Sequence, residues 1–127
     1  MVTAPPGEHA PPHILFAGRV PQLALLPRMS AVVCHGGQNT VCEALSYGLP
    51  LVVTPIRDDQ PIIAQQVADA GAGVGLRIDR LGASELRGAV RAVLDDPSYR
   101  AAAGVVRDSF AAAGGARTAA DQLEKLV

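Results

Sequence analysis

A histidine followed by two glycines and three uncharged polar residues, His35-Gly36-Gly37-Gln38-Asn39-Thr40, is a combination suited to holding an anion. The glycines allow a tight turn and remove the Cβ atoms that would keep a ligand away from the backbone. Beyond them the spacing of Val41, Ala44 and Leu45 predicts a helix that closes at Gly48, with Asn39 or Thr40 expected as its cap. A diphosphate at that helix start would meet unpaired backbone N–H groups and the positive end of the helix dipole. That attraction is worth about 0.3 to 1 kcal/mol per charge, and up to roughly 2 kcal/mol when partly buried. His35 adds a donor if its imidazole faces the turn. Glu43 lies one turn further along, too deep to cap the helix, and its carboxylate suits the vicinal diol of a ribose. Asp59 and Gln60 together offer acceptors and donors for neighbouring sugar hydroxyls. The set reads as a cradle for a nucleoside diphosphate with a sugar clasp at its rim.

These residues need elements that bring them to one edge. Ala31-Val32-Val33-Cys34 is an apolar run too short for a helix and bounded by polar and glycine residues, as in a central parallel strand. A second run, Leu51 to Thr54, delivers the chain at Pro55 to the same carboxyl edge, where ligands of open α/β sheets collect. The wider pattern is a strand over Ile14–Ala17, a short helix opened by Pro21, the strand ending at Cys34, a helix, and the strand from Leu51. A helix carrying Ile63, Val67 and Ala70 follows, ended by a left-handed Gly71, and then a one-face-wet edge strand over Val74–Ile78. This alternation predicts an α/β fold, a Rossmann-like parallel sheet flanked by helices. Three more helices are expected. One is capped by Ser84 with Leu86, Val90, Val93 and Leu94 inward. The next starts at Asp96-Pro97 with Tyr99, Ala103, Val106 and Phe110 on one side, and the last follows Gly114-Gly115 with Ala119, Leu123 and Leu126.

Composition sets the outer bounds. The chain has 127 residues and 49% hydrophobic content, enough to fill the core of one domain. Its net charge of -1 and 3% aromatic residues supply neither the basic field nor the stacking surfaces of a nucleic-acid binder. No apolar stretch approaches the roughly 20 residues needed to cross a bilayer, and Met1 to Pro12 lack the pattern of a secretory signal, so a cytoplasmic protein is expected. Residues 1–12, rich in proline, read as a flexible arm or linker remnant, and residues 13–127 as the folded domain. Cys34 and Cys42 lack the paired spacing of a zinc site and read as buried reduced thiols. Gly71-Ala72-Gly73-Val74-Gly75 follows a helix and opens a strand, the reverse of a dinucleotide fingerprint. No Asp-x-Asp segment is present, and no metal or cofactor is expected.

The stretch from Arg19 to Gln60 resembles the donor-binding signature of nucleotide-sugar glycosyltransferases with the GT-B fold, a group that includes plant secondary-product transferases and bacterial macrolide and antibiotic transferases. The resemblance rests on Pro21-Gln22, His35, Gly37, Asn39-Thr40, Glu43, Pro50, Pro55 and Asp59-Gln60, and in a looser form it runs from residue 13 to the C-terminus. It implies the C-terminal, donor-binding domain of such an enzyme, incomplete at its N-terminal side, and a UDP- or dTDP-sugar as donor. Val20 and Gln22 would meet the base largely through backbone groups. His35 with Gly36, Gly37, Gln38, Asn39 and Thr40 would hold the diphosphate, Glu43 the ribose, and Asp59 with Gln60 the transferred sugar. The implied reaction is an inverting transfer of a hexose to a small-molecule hydroxyl. Its catalytic base would be a histidine of an N-terminal acceptor domain, so no catalytic residue is expected in these residues and the chain alone should not turn over. Arg19 stands where plant members have a base-stacking tryptophan, and Ile63 where many bacterial members have an asparagine. Two other readings are a subunit of a split transferase, completed by a second chain, and a non-enzymatic nucleotide-binding module. A sheet edge left bare could also be covered by self-association into a homo-oligomer.

Overall fold

The computed structural model describes residues 11–126, so most of the arm expected over residues 1–12 lies outside the described residues. Three short parallel strands form the sheet, β1 (Val32–Cys34), β2 (Leu51–Val53) and β3 (Gly73–Gly75), in the order β1-β2-β3. Val33 is paired with Val52, and Val52 with Val74. The strands are joined by α2 (Gln38–Ser46) and α3 (Gln60–Asp69), preceded by the four-residue α1 (Gln22–Leu25) and followed by α4 (Ala83–Asp95), α5 (Pro97–Ala112) and α6 (Gly115–Glu124). The expected layered α/β architecture is therefore present.

The period-2 geometry of β2 sorts its side chains between two cores. Leu51 and Val53 face Val41, Ala44 and Leu45 of α2, Ile63, Ala64 and Val67 of α3, and Ala103 of α5. Val52 faces the other way, onto Ala89 and Val93 of α4 with Val74, Leu86 and Val90 around it. All three residues of β2 are fully buried, whereas Val33 at the centre of β1 remains 49% exposed. Among the described residues β1 has a strand neighbour on one side only, whereas β2 is flanked on both. Arg100 on α5 donates to the carbonyl of Ser30 at 2.8 Å and secures the chain as it enters β1. Gly73 is required by close packing, since a Cβ there would collide with the Leu51 carbonyl.

Several local expectations are corrected. Of the strand expected over Ile14–Ala17 only Phe16 has bridge geometry, because among the described residues β1 pairs with β2 alone and the segment does not extend the three-stranded sheet. The helix after the double glycine starts at Gln38 with Gly37 as its N-cap residue, so Asn39 and Thr40 sit inside the first turn and cap nothing. Likewise Gly82, and not Ser84, precedes α4, with the Glu85 carboxylate folded back over it. The last strand covers Gly73–Gly75 instead of Val74–Ile78. Leu76 donates one further bond to the Val53 carbonyl, and Ile78–Arg80 then turn as a 3-10 helix because β2 has ended. Ala70, Leu94 and Phe110 are exposed instead of inward-facing. Gly71 is left-handed at φ +68° as expected, and Asp96 caps α5 by accepting from the Ser98 amide at 2.9 Å. No helix among the described residues is long and apolar enough to cross a membrane.

Candidate functional site

The carboxyl ends of β1 and β2 carry the site. Gly36, at φ +90°, turns the chain out of β1 in a conformation that side chains resist. A Cβ there would lie 2.8 Å from a Val53 methyl and 3.4 Å from the Gln60 carbonyl, so the turn is packed against β2 and the start of α3. Gly37 follows with ordinary extended geometry and no side chain capping the helix. The first bond of α2 runs from the Val41 amide to the Gly37 carbonyl at 3.1 Å, leaving the amides of Gln38, Asn39 and Thr40 without intrahelical acceptors. Gln38 and Asn39 are exposed and Thr40 is half-buried, so the turn is open to a ligand.

His35 is exposed and stands over this helix start, its Nε2 2.8 Å from the place a Cβ of Gly37 would occupy. The imidazole can donate toward an anion seated on the turn. Beside it Cys34 is partly buried at the end of β1. Burial pushes its thiol up from the usual cysteine range, opposed by a hydrogen bond from the Gly36 amide.

Glu43 lies on the second turn of α2, half-buried, and accepts a 2.6 Å hydrogen bond from Gln22 Nε2 at the start of α1. It is thus not a freely solvated helix glutamate. Gln22 and Glu43 share a shallow concavity with Pro21, Leu23 and Ala24, and Val20 lies beside it against Leu25 and Met29. The base and ribose positions expected from the sequence are therefore contiguous. Neither the pairing of Gln22 with Glu43 nor its geometry was foreseeable, because the partners are 21 residues apart and belong to different elements.

Asp59 occupies the N-cap position of α3 without making a side-chain cap bond, so its carboxylate is left free among the described residues. It lines a cleft of about 420 Å³ between α2 and α3, with Gln38 also at the wall and Cys42, Ile62 and Phe110 further along. Gln60 is placed differently from its neighbour. It is 9% exposed, and its Oε1 accepts from the amides of Ile56 at 2.9 Å and Arg57 at 3.1 Å. The carboxamide therefore knits the loop after β2, and only its Nε2 remains without a protein partner among the described residues. Asp58, at φ +58°, completes that tight loop in a left-handed conformation that aspartate tolerates. Ile63, where a polar contact was in question, is buried in the core. Among the described residues no three His, Cys, Asp or Glu side chains converge to hold a metal ion.

Comparison with known proteins bears on the family and the fold. Residues 3–126 match the family described as erythromycin biosynthesis protein CIII-like, C-terminal domain. The chain is 40% identical over 120 residues to the 4'-demethylrebeccamycin synthase of Lentzea aerocolonigenes, covering 94% of this chain and 28% of that protein. It is 37% identical over 131 residues to the tylactone mycaminosyltransferase of Streptomyces fradiae, covering 99% and 29%. Among solved structures, the glycosyltransferase VinC in complex with dTDP superposes with a TM-score of 0.80 at 31% identity, covering 83% of this chain and 27% of that one. The glycotransferase of kitacinnamycin superposes with a TM-score of 0.88 at 34% identity, covering 96% and 32%. The chain spans under a third of the length of these relatives. On fold and sequence together, it belongs to the erythromycin biosynthesis protein CIII-like C-terminal domain family, with the α/β fold of the C-terminal part of GT-B glycosyltransferases.

Proposed function

We propose that this chain is the donor-binding part of a glycosyltransferase that moves a hexose from a UDP- or dTDP-sugar to a small-molecule acceptor hydroxyl by inverting displacement. The observation that carries the reading is the open start of α2, overhung by His35 and flanked by the Gln22–Glu43 pair and by Asp59. Each group matches one part of such a donor. The amides of Gln38 to Thr40 and the imidazole meet the diphosphate, Glu43 the ribose, and Asp59 with the Gln60 Nε2 the sugar. In the reaction the same amides and His35 would stabilise the charge that grows on the departing diphosphate. Deprotonation of the acceptor is assigned to an acceptor domain, joined to these residues or supplied as a complementary subunit. We read the protein as cytoplasmic, and self-association as the state of a chain without that complement.

Calorimetric titration tests the reading. UDP or dTDP should bind in the micromolar to millimolar range, and His35→Ala should weaken binding by about tenfold to a hundredfold, the loss of one donor to a charged group. Absence of binding to every uridine and thymidine diphosphate would overturn it. A non-enzymatic nucleotide module is favoured instead if Asp59→Ala leaves sugar-nucleotide and bare-nucleotide binding equally unchanged.

A further inference from the structure

We propose that the outer edge of β1 recognises a second copy of this chain, the two strands pairing antiparallel about Val33 so that the sheets join edge to edge. The inference specifies the contact behind the self-association named above and is independent of the donor-binding reading. The direction of the backbone groups selects this arrangement. The Val32 amide donates to the Pro50 carbonyl at 3.1 Å and the Thr54 amide to the Cys34 carbonyl at 2.9 Å, so Val32 and Cys34 turn their polar groups toward β2. In a parallel ladder the residue between them turns its N–H and C=O the other way. On that side of β1 no strand lies among the described residues. Val33 therefore presents one donor and one acceptor from the same residue. A twofold axis beside it lets Val33 and its copy exchange both N–H···O bonds.

The side chains agree with this register. Val33, large and apolar yet 49% exposed, would lie beside its own copy, and Val32 would lie opposite Cys34 of the second copy on the other face. Sheets ordinarily keep their edges apart with lysine, proline or a bulge. Val32-Val33-Cys34 carries none of these, and the hollow beside the strand, about 130 Å³ with Leu25, Met29 and Ala31 in its wall, has no charged side chain. A twofold contact brings each group near its own copy, so a charge at this patch would meet a like charge. An uncharged edge meets no such repulsion.

The test joins light scattering to cross-linking of the 127-residue chain, with Cys42→Ser in the cross-linking variants to leave Cys34 as the one native thiol. In the proposed register positions 32 and 34 of opposite copies form a non-hydrogen-bonded pair, with Cα atoms about 4.5 Å apart and within disulfide reach. Val32→Cys should therefore give a disulfide-linked species of twice the chain mass on treatment with diamide, which takes up the two electrons and two protons released per bond. Adding Cys34→Ser should abolish that species. Val33→Pro removes the outward N–H, which β2 does not use, and should weaken association by about tenfold to a hundredfold, the loss of two hydrogen bonds. Cross-linking that survives Cys34→Ser, or an associated wild-type chain whose Val32→Cys variant fails to cross-link, overturns the inference. A wild-type mass that stays monomeric at high concentration overturns it together with self-association, and each of these results leaves the donor-binding reading intact.

Discussion

Gln60 divides two tasks between the two ends of one carboxamide. Its oxygen accepts from two successive backbone amides, and its nitrogen, without a protein partner among the described residues, is the group proposed to meet the sugar. Substitutions can separate these tasks. Gln60→Ala leaves the Ile56 and Arg57 amides without their acceptor and should cost about 1 to 3 kcal/mol in a urea unfolding experiment. Gln60→Glu keeps an acceptor for both amides, so stability should stay within about 1 kcal/mol of the parent. It removes the only donor and adds negative charge near Asp59, so sugar-nucleotide binding should fall all the same. Comparable stability losses in the two variants would show that the oxygen does not organise the loop. The pairing of an acid with an amide at this edge was legible in the sequence as a hydrogen-bonding unit, but the burial of one and exposure of the other was not. That outcome depends on the loop after β2 folding back onto α3, a tertiary arrangement with no local signature.

At the scale of elements, the turn between β1 and α2 makes two glycines with different duties. Gly36 combines a left-handed φ of +90° with contact to a Val53 methyl at 2.8 Å from a virtual Cβ, so Gly36→Ala meets both backbone strain and a packed wall. A loss of about 2 to 4 kcal/mol in chemical denaturation is expected. Gly37 has an ordinary φ of -61°, and the nearest atoms to a Cβ placed there are those of the His35 ring. Gly37→Ala should leave the unfolding midpoint nearly unchanged while displacing the imidazole and weakening diphosphate binding; a large stability loss would contradict this. The start of α5 gives a pH test. Asp96 accepts from Ser98, which holds its carboxyl below the usual carboxylate range. A depressed folded value means that the cap stabilises above the ordinary aspartate range and that its benefit is lost as pH falls through the lowered one. Melting temperatures of the parent and Asp96→Ala should therefore differ at neutral pH and converge in strong acid. Asp96-Pro97 and Gly71 were legible because cap and breaker chemistry is local. The starts of α2 and α4 were not, since both helices begin one or two residues before the side chains that looked like caps, with glycine in the N-cap place. Ile14–Ala17 looked like a strand by composition, yet a strand exists only where a neighbour offers a ladder.

At the scale of the whole molecule, the described residues expose apolar side chains at one edge of the sheet and on the last helix. Among the described residues β1 has a strand partner on one side only, Val33 is 49% exposed on the face where its partner Val52 is fully buried, and α6 lies exposed along its length with Leu123 at 64% and Leu126 just beyond it at 83%. Parallel sheets are stable when both faces and edges are protected, and bare strand edges invite pairing. None of the proposed donor-binding residues lies on β1 at Val33 or on α6, so association and nucleotide binding should respond to different substitutions. Light scattering on the isolated chain should register growing mass with concentration. Val33→Lys places a charge on the edge strand and should suppress that growth, as should Leu123→Glu on α6 if its stripe also takes part, with UDP or dTDP affinity unchanged in both. Adding a polypeptide that supplies the acceptor domain should compete with self-association in the parent chain and bring sugar transfer above that of the chain alone. A monomeric mass at high concentration in the parent would mean that the exposed apolar residues are too dispersed to drive association. Transfer by the isolated chain would place the proton-accepting group among these 127 residues and overturn the division between binding and catalysis.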